Sequence, residues 1–183
     1  MNRKLLILAL ISFFLSINKT SFAQDGVTAS HSVTFTIPHV AMVDVEGGGS
    51  INLGLSGPTE AGLGLAGSAS NSTLWLNYSS TTNPSSSNSV MVKLDAPIPG
   101  LDLKITASTD ASAGLGATGT PASTLTLTTT EQSLINNIGT CYTGDGVSKG
   151  HNITYNLVAN NYNLIKSNTT PGTTTITFTI TNN

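Results

Sequence analysis

The closing stretch, HNITYNLVA at 151–159 and TTTITFTIT at 173–181, decides the fold class. In its second arm Ile176, Phe178 and Ile180 alternate with Thr175, Thr177, Thr179 and Thr181. In its first arm Ile153, Tyr155 and Leu157 alternate with Asn152, Thr154 and Asn156. Successive side chains on a strand point to opposite faces, so each arm has one apolar face and one hydroxyl- or amide-bearing face. The turn-rich linker 160–172 joins them, and the stretch reads as a closing pair of half-buried strands.

The same period recurs upstream. HSVTFTI at 31–37 sets Val33, Phe35 and Ile37 against Ser32, Thr34 and Thr36, which predicts a strand ended by Pro38, a residue with no N–H for a ladder. Val40 to Val45 resumes the pattern, and Ile51, Leu53 and Leu55 alternate beyond the triple glycine 47–49. Further strands are expected at Thr73–Ser79, at Val90–Leu94, at Leu101–Ala107 and around Leu125 and Leu127. Gly54 to Ser72 and Gly139 to Gly150 read as loops. In EQSLINNI (131–138), Leu134, Ile135 and Ile138 are spaced i, i+1, i+4, which predicts a short helical turn. About nine short strands separated by turn formers predict an all-β, antiparallel, immunoglobulin-like β-sandwich, with a closed β-barrel as the alternative.

Residues 1–23 read as a signal peptide. Arg3 and Lys4 precede the apolar run Leu5–Leu15, and Ser21-Phe22-Ala23 ends in the small residues a signal peptidase accepts. The run is shorter than the ~20 residues a bilayer core needs, and no second apolar run follows, so no transmembrane segment is expected in the mature chain. Cleavage would leave 24–183 as a single domain, located in the periplasm, at the cell surface or outside the cell. It would also leave four lysines against nine acidic residues, a net charge of −5. A chain with no arginine and scattered lysines has no means of neutralising a run of phosphates, which excludes nucleic acid as an expected partner. Cys141 is the single cysteine. It has no partner for an intramolecular disulfide and is expected to be buried.

Chemistry-bearing residues are few. Asp44 and Glu46 share one face beside the triple glycine, and Asp145 lies between Gly144 and Gly146. Carboxylates beside flexible backbone are candidate calcium ligands. Trp75 and Tyr78 fall on opposite faces of one strand. The tryptophan is expected in the core, and an exposed ring of the two is a candidate platform for stacking on a sugar. GLGLAG at 62–67 matches a dinucleotide fingerprint in letters but lacks the following helix. His31 and His39, ~26 Å apart on an extended strand, cannot share a metal. Cys141 with His151 would make a nucleophile–base pair only if the fold joined them to an orienting group.

In layout, the leader, the tryptophan strand and the closing block resemble exported β-sandwich proteins of Bacteroidetes. Leu74-Trp75-Leu76-Asn77 and Ile153-Thr154-Tyr155-Asn156-Leu157 also resemble the two strands of the WxL surface domain. Asn77 and Tyr155 stand where that domain has leucine and tryptophan. The resemblance implies association with a cell wall and carries over no binding residue. The expectation is an exported, non-catalytic surface, adhesive or structural module that associates with itself, through sheet edges like a pilus subunit, or with another surface protein. A glycan-binding module on Trp75 or Tyr78 is the alternative, and a Cys141–His151 enzyme the third reading.

Overall fold

The structure is a computed structural model that describes residues 26–65, 69–167 and 172–181. Two compact units divide the chain, residues 1–36 and 37–183. The expected leader, 1–23, lies outside the described residues. In the first unit, Gly26 to Thr36 carries no strand and is exposed throughout. The strand expected over 31–37 is therefore not formed: Val33, Phe35 and Ile37 are 74%, 80% and 72% exposed. Alternation specifies a strand's two faces but supplies no partner, and without a ladder the segment remains unpaired.

The second unit is all-β. Its strands are β1 (Ala41–Glu46), β2 (Ala69–Ser80), β3 (Asn88–Leu94), β4 (Leu101–Asp110), β5 (Leu115–Gly116), β6 (Thr120–Pro121), β7 (Leu125–Thr126), β8 (Gln132–Ile138), β9 (Cys141–Tyr142), β10 (His151–Ala159) and β11 (Ile176–Ile180). They form two antiparallel sheets that do not close into a barrel. One runs β5-β9-β2-β10-β4-β7, with β1 also paired to β2. The other runs β11-β3-β8-β6. Among the described residues there is no helix, and so none long and apolar enough to cross a membrane. The expected sandwich class is thus found, and the barrel is not.

The core follows from the period of the strands. Leu74, Leu76 and Tyr78 of β2, Leu103 and Ile105 of β4, and Ile153, Tyr155 and Leu157 of β10 are the inward members of one sheet. Val90, Val92 and Leu94 of β3 oppose them from the other. Burying such a side chain contributes about 1.5–3 kcal/mol, so this set is the main source of stability.

The closing arms do not pair with each other as expected. β10 lies inside the larger sheet between β2 and β4, whereas β11 ends the smaller sheet against β3. Between Ala159 and Ile176 the chain passes from one sheet to the other instead of turning back in a hairpin. Alternation cannot separate a hairpin from two strands in different sheets, because both need the same oily face.

The helical turn expected at 131–138 is β8. Leu134 and Ile135, adjacent in sequence, are both fully buried. The register between β3 and β8 shifts on both sides of Val90, and Asn137 adopts a left-handed φ of 58°. A bulge breaks the strict alternation of a strand, which lets neighbouring side chains turn inward and imitates helical spacing. Ile51, Leu53 and Leu55 form no strand of their own, although Ile51 and Leu53 pack on the core.

Candidate functional site

Side-chain chemistry concentrates where β2, β4 and β10 meet. His151 opens β10 on the same inward parity as Ile153 and Tyr155, and it is wholly buried. Its Nε2 lies 2.7 Å from the Tyr78 hydroxyl and its Nδ1 lies 2.8 Å from the Ser108 carbonyl oxygen. The two rings stack with centroids 5.5 Å apart. The Tyr78 hydroxyl also has the Thr118 carbonyl oxygen within hydrogen-bond reach. Because the Ser108 carbonyl can only accept, Nδ1 carries a proton, and in the neutral ring Nε2 is the acceptor facing Tyr78. Burial lowers the His151 pKa below its ordinary value, against the opposing pull of the Ser108 carbonyl and the Asp110 carboxylate. Burial also raises the Tyr78 phenol.

Cys141 is buried, as expected, and desolvation followed by the Asp110 charge raises its thiol to about 11. Both ring nitrogens of His151 are engaged by groups other than Cys141. A nucleophile–base pair needs the thiol within hydrogen-bond reach of the imidazole, and the bonds of His151 go to Ser108 and Tyr78 instead.

Alongside β1 and β2, a cleft of about 350 Å³ is lined by Met42, Asp44, Asn77, Tyr142 and Asp145, among others. The fold therefore brings Asp44 and Asp145 to one cleft, from β1 and from the loop after β9. Glu46 is not among its lining residues and sits across the ladder from Trp75. One Asp44 oxygen accepts the Val45 N–H at 2.7 Å. Among the described residues no three His, Cys, Asp or Glu side chains converge as a metal-binding group.

The two aromatic candidates exchange their expected places. Tyr78 belongs to the core at 4% exposure, and Trp75 is half-buried on the other face. The His151–Tyr78 contact, which sequence reasoning missed, joins residues 73 apart in the chain. Their shared membership of apolar rows was the only available signal.

No family model, curated protein or solved structure matches the chain.

Proposed function

We propose that this protein is an exported, non-catalytic surface or structural module that assembles through its sheet edges. The observation that carries this reading is β11. Among the described residues it ends its sheet, it alternates apolar residues with threonine, and it holds no charged residue or proline that would discourage pairing. An edge strand of that composition offers its unpaired backbone groups to another strand. The sealed, neutral Tyr78–His151–Cys141 neighbourhood supports a structural role, and the leader-like residues 1–23 support export. Light scattering across a concentration series tests the reading, with reversible association expected. A monomer at every concentration would remove it.

A second reading rests on Trp75, which is half-buried on the outer face of β2 and offers a surface for stacking on a sugar. Glycan pull-down with the protein and with Trp75→Ala tests it, and unchanged binding would end it.

A further inference from the structure

We propose that His31–Ile37 of one copy adds as a strand to a second copy, at the edge of β11 that has no paired strand among the described residues. The inference rests on the reading that the chain assembles through sheet edges, and it names the partner.

The segment has every property of a half-buried strand except a ladder. Val33, Phe35 and Ile37 form one apolar row, Ser32, Thr34 and Thr36 the polar one, and no residue of 31–37 is Asp, Glu, Lys or Arg. All three apolar side chains are more than 70% exposed. The chain immediately after it is fixed: the Thr81 hydroxyl donates to the Pro38 carbonyl at 2.9 Å and accepts the Val40 N–H at 2.6 Å. Pro38 stops the β1 ladder from extending back into the segment, because it brings no N–H.

The acceptor is defined by the register of β11. The Thr175 carbonyl accepts from the Asp95 N–H, and the Thr181 N–H donates to the Ser89 carbonyl. Backbone groups alternate sides along a strand, so those of Ile176, Phe178 and Ile180 point away from β3, toward the side that carries no paired strand among the described residues. Their side chains pack against the core yet stay only half-buried. An added strand would complete both the hydrogen bonding and the burial. Seven residues span about 23 Å and five about 17 Å, so the segment is long enough to cover β11. Every copy carries both halves of this contact. The association is head-to-tail and propagates into open chains.

The test compares the full purified protein with Val33→Asp and Phe35→Asp, by light scattering over a concentration series and by amide hydrogen exchange in the associated form. Both positions are exposed, so the thermal midpoint should hold while association weakens by about tenfold or more. Protection should rise at Ile176, Phe178 and Ile180 on association and be lost in the variants. A variant that cannot donate should still cap the open end of unaltered chains and shorten them. Association that survives both substitutions overturns this proposal and leaves edge-mediated assembly standing. Protection gained on β1 instead of β11 overturns the choice of edge. Protection of 31–37 independent of concentration means the segment folds onto its own copy, which also overturns it. A monomer throughout ends both readings.

Discussion

The Tyr78 hydroxyl lies 2.7 Å from Nε2 of His151, and this contact ties β2 to β10 inside the larger sheet. The hydroxyl has one proton and two acceptors around it, Nε2 and the Thr118 carbonyl. Removing it takes the donor from whichever acceptor holds that proton, the buried Nε2 or the part-buried Thr118 carbonyl. Tyr78→Phe should therefore destabilise the fold by about 1–3 kcal/mol, read from urea midpoints. An unchanged midpoint would show that the hydroxyl is dispensable.

The lowered pKa of His151 gives a pH dependence of definite sign. Above the unfolded value of about 6.5 the ring is neutral in both states, and the full stability is present. Below it the unfolded chain binds a proton that the folded ring refuses, so stability falls as pH falls toward the folded pKa. One proton limits the slope to about 1.4 kcal/mol per pH unit. Thermal midpoints measured from about pH 7.5 down to about pH 5 should decline, and His151→Asn should flatten the part due to this ring.

Cys141 should resist alkylation in the folded protein. A thiol raised from 9.0 to about 11 has a thiolate population at neutral pH lower by about a hundredfold than a free one, and burial limits access further. Labelling by iodoacetamide should follow the rate of unfolding across a urea series. Labelling that is fast in native buffer would contradict the buried placement.

Gly150 has a left-handed φ of 65°, and a Cβ there would meet the Leu76 carbonyl oxygen and the Asn77 side chain. Neither the backbone oxygen nor the conformation accommodates a side chain. Gly150→Ala should cost more than ~1 kcal/mol, measured by chemical denaturation. Because His151 follows directly, the same variant should perturb the Tyr78–His151 contact.

Local alternation made most of the long strands legible. Val90–Leu94, Leu101–Ala107 and His151–Leu157 each bury alternate residues as their letters imply. What alternation leaves open is the partner. It could not tell that Phe178 and Tyr155 belong to different sheets, nor that Phe35 finds no ladder at all. The candidate site was harder still. Cys141 and His151 were visible as residue types, but the hydrogen bonds that engage His151 come from Ser108 and Tyr78, which only the sheet topology brings near.

Asn137 tests the bulge that disguised β8. Its φ of 58° lies in the left-handed region, where asparagine is tolerated and a β-branched side chain is strained. The turn it makes helps bring Ile138 inward beside Leu134 and Ile135. Asn137→Gly keeps that conformation accessible and should leave stability nearly unchanged. Asn137→Val should cost about 1–2 kcal/mol, because the strain falls on the folded state alone. Equal denaturation midpoints for the two variants would mean that the segment relaxes out of the left-handed conformation, and that the burial of Ile138 does not depend on it.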